Sequence, residues 1–279
     1  MARTTRATTH AAAAAGEAPD PARSKAPAVT RAAAILDMLA EHDSPIGPSE
    51  LARNLGIAKS SALYICEALL HADLVRREGA GFQLGHKVLS LSAAYLAGID
   101  IVSAFYHVCR EHAPDIPETA QLSTLDRGLE VTYLAKREGV GPVRLASDIG
   151  RHLIATTTAT GKAMLSRLDW PDVEARLRAA GPLPRLTPRS IADASGLRNE
   201  LAAIREQGYA VDDEETLPGM FCIGRAVPTG DTRRHLYGIS LTMLKAAATE
   251  ERLQVCRRNL DVLAENLAAR CGIEHPRPR

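Results

Sequence analysis

Two short helical patterns parted by a glycine, then at once a strand–turn–strand pattern, leave few folds open to residues 48–85 of this chain. Gly47-Pro48-Ser49 opens the first, SELARNL, and Gly56 breaks it. In the second, GIAKSSALYICEALL, residues Ala62, Ile65, Cys66 and Leu69 fall at i, i+3, i+4 and i+7, which is one face of a helix. Ser60, Ser61, Leu63, Tyr64 and Glu67 lie opposite, with Lys59 at the entry. LVRREGAGFQLG follows, in which EGAG supplies a turn between strand formers, and its base carries Arg76 and Arg77. A helical pattern from Pro27, ended by His42-Asp43-Ser44-Pro45, precedes the pair. The spacing predicts a winged helix-turn-helix over residues 25–85, whose second helix would enter a DNA major groove. A winged helix that binds protein instead has the same pattern.

Charge makes the DNA reading specific. Over the whole chain 34 Lys+Arg face 33 Asp+Glu, a net charge of +1, so general electrostatic affinity for nucleic acid is not expected. Binding would rest on a local cluster at Arg53, Lys59, Arg76 and Arg77, doubled if the chain is a two-fold dimer. Residues 1–24 read as a spacer tail: the run AAAAA lacks the leucine-rich core of an export signal. No apolar run reaches the roughly 18 residues of a membrane helix. The five cysteines are odd in number and form no CxxC, which predicts reduced thiols in the cytoplasm.

Beyond the wing, HKVLSLSAAYLAGIDIVSAFYHVCREH is a long uninterrupted helical pattern whose first part, residues 86–105, reads as a linker helix. Its stripe of Val88, Leu91, Ala94, Tyr95 and Leu96 fits a dimer contact and a core helix equally well, because a stripe shows burial but not its partner. Residues 106–273 read as an α+β domain, with 274–279 as a short tail. ETAQLSTL and LEVTYLAK form a hairpin, PVRLAS a further strand, and helices and a last hairpin follow.

In that last hairpin, alternation puts Cys222, Gly224 and Ala226 on one face of FCIGRAV, and Gly238, Ser240 and Thr242 on one face of YGISLTM. Two neighbouring small or weakly polar faces leave space for a compact ligand; a closely covered sheet face would look the same. ATGKA fails as a phosphate-binding loop, since Thr156 and Ala163 stand where glycine and Ser or Thr are needed. The quartet Asp212, Asp213, Glu214 and Glu215 has no histidine at ligand spacing and reads as a solvated loop, with one member able to turn inward beside Cys222. No metal or cofactor is expected, and no nucleophile–base–acid order stands out. A cysteine-dependent acyl-transfer or hydrolytic enzyme using Cys222 is the rival of another class, and it would need an activating base that the sequence does not identify.

Taken together, RAAAILDMLAEH, SELARNLGIAKSSA, LVRREGAGFQLG, HKVLSLSAAYL, ATGKAML, LPRLTPRSI, IREQGYAVDDEETLPGMFC and YGISLTM resemble the IclR family of bacterial transcriptional regulators, from about Ala28 to Gly272. The resemblance implies an N-terminal winged helix-turn-helix, a linker helix, and a C-terminal GAF-like effector domain with an antiparallel sheet. It implies a homodimer or homotetramer on double-stranded operator DNA, responsive to a small-molecule effector such as an organic or aromatic acid. By similarity the effector site takes Leu145, Ala159, Thr160, Asp212, Cys222, Ser240 and Thr242. The sequence departs from the family at AKSSALYIC, where PKSTVHRLL is common: Leu63 and Tyr64 replace histidine and arginine, and Ala58 replaces proline. Thr242-Met243 stands where Ser-Gly is usual. Activator and repressor readings stay open, as does that of a sensor acting through protein partners.

Overall fold

The computed structural model describes residues 24–97, 100–126, 128–139, 149–228 and 236–271. Its described residues divide into two compact units, the first covering 24–97 and the second 100–271.

The first unit is built from α1 (Pro27–Glu41), α2 (Pro48–Asn54), α3 (Lys59–His71), the antiparallel pair β1 (Val75–Glu78) and β2 (Gly81–Leu84), and α4 (Lys87–Ala97). Prolines open α1 and α2, where their missing N–H costs nothing. Gly56, at φ 62°, makes the turn between α2 and α3. Ile35, Leu39, Leu51, Ala62, Cys66, Leu69, Val75 and Phe82 fill a core under the three helices and the hairpin. A single bridge pairs Ile46 with Phe82, which fixes the wing to the segment before α2.

The long helical pattern is carried by two helices, α4 in the first unit and α5 (Asp100–His112) in the second. On α4, Leu89, Leu91 and Tyr95 are exposed, whereas on α5 Ile101, Phe105 and Val108 are core residues.

The second unit centres on a six-stranded sheet in the order β5-β4-β3-β8-β7-β6. Its strands are β3 (Thr119–Leu125), β4 (Glu130–Arg137), β5 (His152–Ile154), β6 (Ala210–Asp213), β7 (Met220–Ala226) and β8 (Leu236–Leu244), paired antiparallel throughout. Ala120, Leu122, Leu134, Phe221, Ile223, Ile239 and Leu241 form a core with α5 and α9 (Glu250–Arg270) on one face. The other face meets α6 (Ala159–Leu165), with α7 (Trp170–Ala180) and α8 (Ala194–Gln207) in the same cluster. In β4 the register slips by one residue: Leu122 faces Ala135, but Ser123 faces Tyr133. This bulge sends Leu134 and Ala135 together into the α5–α9 core and leaves Tyr133 on the α6 side.

Among the described residues no single helix is long and apolar enough to cross a membrane. PVRLAS, expected as a strand, lies outside the described residues.

Candidate functional site

On the first unit, α3 presents a face of Lys59, Ser60 and Tyr64 to solvent, with Tyr64 76% exposed. Ser61 is half-buried, and Leu63 packs partly against the unit's core. Tyr64 is therefore the largest free side chain on the expected reading surface. The four expected cations are not equivalent. Arg53 lies 3.9 Å from Glu50, and Arg76 pairs with Glu78 at 2.6 Å and donates to Gln83 Oε1 at 2.6 Å. Arg77 pairs with Glu67 on α3 and stacks its guanidinium 5.0 Å from the centre of the Phe82 ring. Arg77 thus ties the wing to the helix beside it. Lys59 makes no ion pair among the described residues.

On the second unit, antiparallel register sets side chains in rows across the α6 face of the sheet. One row runs Asp212, Cys222, Thr242, Thr119, and the next runs Ala210, Gly224, Ser240, Gln121. Asp212, Thr242, Gln121 and Ser240 are buried, and Cys222 is partly buried. The Thr242 hydroxyl lies 3.2 Å from Gln121 Oε1 and 3.3 Å from Cys222 Sγ. Burial, Asp212 beside it and the loss of water push the Cys222 thiol well up, so it is neutral near pH 7. Tyr133 is likewise buried and pushed up, with the Thr160 hydroxyl near its phenol and Cys222 and Asp212 close enough to oppose its ionisation.

The small-residue face is not all open. A methyl group on Gly224 would stand 2.9 Å from the Ala159 carbonyl carbon and the Thr160 nitrogen, and one on Gly238 3.0 Å from Thr160 Cβ. Those glycines exist to let α6 lie on the sheet, so the closely covered reading holds for them.

The acidic quartet is not a solvated loop throughout. Asp212 and Glu215 are buried. Asp212 Oδ1 accepts from the backbone N–H of Glu215 at 2.8 Å and of Thr216 at 3.2 Å, which closes a tight turn after β6. Burial raises the Asp212 carboxyl, the Thr216 and Glu215 hydrogen bonds and Lys162 pulling the other way. Thr187 and Ser190 hydroxyls hold the carbonyls of Glu214 and Glu215 at 2.7 Å each, and Thr216 donates to the Thr157 carbonyl at 3.0 Å. Lys162, 1% exposed, meets Glu215 and, at 3.1 Å, Glu200 of α8. Its charge is consumed inside the fold by the two carboxylates.

Ala159, Thr160, Asp212, Cys222, Ser240 and Thr242 are thus gathered on one face; Leu145 lies outside the described residues. Gln121, Ser123 and Tyr133 belong with them. The alternation of TAQLSTL, with Thr119, Gln121 and Ser123 opposite Ala120 and Leu122, carried that signal. Among the described residues no group of three His, Cys, Asp or Glu could hold a metal ion.

Two family models match the chain: "Bacterial transcriptional regulator IclR C-terminal" over residues 93–269 and "IclR helix-turn-helix domain" over residues 28–79. The HTH-type transcriptional regulator KdgR of Escherichia coli K12 is 30% identical over 241 residues, covering 85% of this chain and 90% of that protein. The HTH-type transcriptional regulator XynR of the same strain is 30% identical over 235 residues, covering 83% of this chain and 92% of that protein. A crystal structure of an IclR transcriptional regulator from Alicyclobacillus acidocaldarius superposes with a TM-score of 0.77 at 25% identity, covering 88% of this chain and 98% of its own.

Proposed function

Since this chain belongs to the IclR family of DNA-binding transcriptional regulators, we propose that a small organic metabolite, held on the α6 face of its sheet, changes its binding to operator DNA. The observation that carries the proposal is the run of polar groups on the α6 face, Asp212, Cys222 and Thr242 in one row, Ser240 and Gln121 in the next and Ser123 in the row after that, in a unit whose other sheet face is apolar. Asp212 and Thr242 already bond within the fold, but the buried Ser123 hydroxyl on this face has no partner among the described residues and costs free energy until something bonds to it. The operator would meet Lys59, Ser60 and Tyr64 on α3 and Arg76 in the wing, with Ser61 and Leu63 as flanking contacts. A homodimer or homotetramer in the cytoplasm would present paired half-sites, and the exposed Leu89, Leu91 and Tyr95 of α4 offer an apolar surface for assembly.

Such a response requires the metabolite to bind two states of the protein unequally. It is tested by titrating candidate metabolites into the complex of the full-length protein with DNA from upstream of its own gene. Thr242→Val, which keeps the shape and removes the hydroxyl, should raise the metabolite concentration for half response about fivefold, since one buried hydrogen bond is worth roughly 1 kcal/mol. An unchanged half-response would remove Thr242 from the site. A burst of covalent product from an acyl substrate, abolished in Cys222→Ser, would favour the enzyme rival; the neutral Cys222 thiol favours a binding role.

Arg76→Ala should weaken operator and unrelated duplex DNA alike and lower the salt slope by about 0.9 per lost phosphate contact. Arg77→Ala should leave that slope in place, because Arg77 is held by Glu67 and Phe82. Anisotropy titrations between low and moderate salt separate the two. Absent salt-dependent DNA binding in the wild type would point to a sensor acting through protein partners.

A further inference from the structure

The first unit carries no excess of positive charge: between residues 24 and 97, seven lysines and arginines stand against seven aspartates and glutamates. The balance is local as well. Each arginine expected on the DNA surface faces a carboxylate, Arg53 that of Glu50, Arg76 that of Glu78 and Arg77 that of Glu67. The third pair differs from the other two. Glu50 and Glu78 lie on the same element as their arginines, whereas Glu67 and Arg77 join α3 to β1. Glu67 is the one acidic residue of α3, three residues after Tyr64 and seven after Ser60, and so shares their face of the helix. Arg77 is oriented by more than this pair. It sits opposite Phe82 in the hairpin register, and its guanidinium lies 5.0 Å from the centre of that buried residue's ring. The ring holds the arginine beside α3 whether or not a carboxylate is there. About half of each side chain is open to solvent. An exposed pair of this kind adds little to folding; its effect is on what the arginine is free to bind.

We propose that Glu67 is a specificity-determining residue, which holds Arg77 off the phosphate backbone and so suppresses binding to DNA of unrelated sequence. This rests on the reading of α3 and the wing as the DNA surface. Sequence-independent affinity comes almost entirely from the phosphates that cations neutralise. An arginine already paired within the protein adds little to that number. On the operator, base contacts from α3 fix where the unit docks, and an arginine not aimed at a phosphate there stays idle. On unrelated duplex nothing fixes the register, so a free guanidinium takes whichever phosphate comes within reach. Glu67 therefore costs unrelated DNA more affinity than it costs the operator.

The test compares the full-length wild type with Glu67→Gln, which keeps the side chain's shape and removes its charge. Anisotropy is read on a duplex of unrelated sequence and on DNA from upstream of the protein's own gene, from about 50 to about 200 mM salt. Glu67→Gln should raise affinity for the unrelated duplex about fivefold at the lower salt and steepen its salt slope by about 0.9 for each phosphate gained. Affinity for the upstream DNA should rise by less, so the ratio between the two falls. The double variant Glu67→Gln/Arg77→Ala should lose the gain, because the released arginine makes it. Glu67→Ala serves in place of the glutamine variant if thermal unfolding shows that variant to be destabilised. Unchanged affinity and slope in Glu67→Gln, an equal gain on both duplexes, or a gain that survives in the double variant each overturns the proposal and leaves the DNA reading standing. A wild type that binds neither duplex overturns both.

Discussion

Above neutral pH, where Glu215 is ionised, Lys162→Met will cost the second unit up to about 3–5 kcal/mol, the toll of removing one partner from a buried ion pair. Methionine matches the lysine stem, so packing is nearly kept and the loss is electrostatic. Lys162 stands between Glu215 and Glu200, and Glu215 is buried on a backbone that Asp212, Thr187 and Ser190 hold from both its N–H and its carbonyl. The effect has a pH signature. Burial pushes the Glu215 carboxyl up to about 7 even with Lys162 pulling it down. The folded chain then holds this proton more tightly than the unfolded chain, so its contribution to stability falls as pH rises from about 4.5 to about 7. The penalty of Lys162→Met should therefore shrink in mild acid, where Glu215 is neutral. Glu215→Gln in the same chain should restore part of the loss at neutral pH. Denaturant titrations at pH 5 and pH 8 measure both; a penalty equal at the two pH values would refute the assignment.

Tyr64→Ala will lower operator affinity by 10- to 100-fold and affinity for unrelated duplex by less than about threefold, in line with roughly 1–3 kcal/mol for a lost base contact. Tyr64 is 76% exposed on a helix whose opposite residues, Ala62, Cys66 and Leu69, are fixed in the core. Its removal leaves no cavity, so fold and stability should not change. The helix α3 carries no arginine, and Arg77 in the wing is spent on Glu67. On the proposed reading, sequence readout would fall to Tyr64 with Ser60, while Lys59 and Arg76 would supply the charge. Equal losses on the two DNAs would make Tyr64 a phosphate contact instead.

Much of this was legible before any coordinates. The winged helix-turn-helix followed from Gly56, the prolines and one apolar stripe, because local punctuation decides local structure. The polar row through Cys222 and Thr242 followed from alternation in two strands. Long-range contacts were not legible in the same way. Nothing near ATGKA in the sequence announces that Lys162 is buried between Glu200 and Glu215, 38 and 53 residues away. The acidic quartet looks solvated because its composition is polar, yet the turn closed by Asp212 draws two of its members inside. Glycines at 224 and 238 suggested a cavity; their purpose, close approach of α6, appears only when the helix is placed.

The slip in β4 also governs how this protein can be compared with its relatives. Strict alternation counted backward from Lys136, whose partner is Gln121, would assign Leu134 to the α6 face and Tyr133 to the apolar core. The bulge reverses both. Transplanting ligand preference between two such regulators by exchanging residues at matched positions will therefore misfire wherever one strand carries the extra residue and the other does not. The unit that must be exchanged is the strand with its irregularity, from Val131 to Lys136, together with the β3 residues it pairs with.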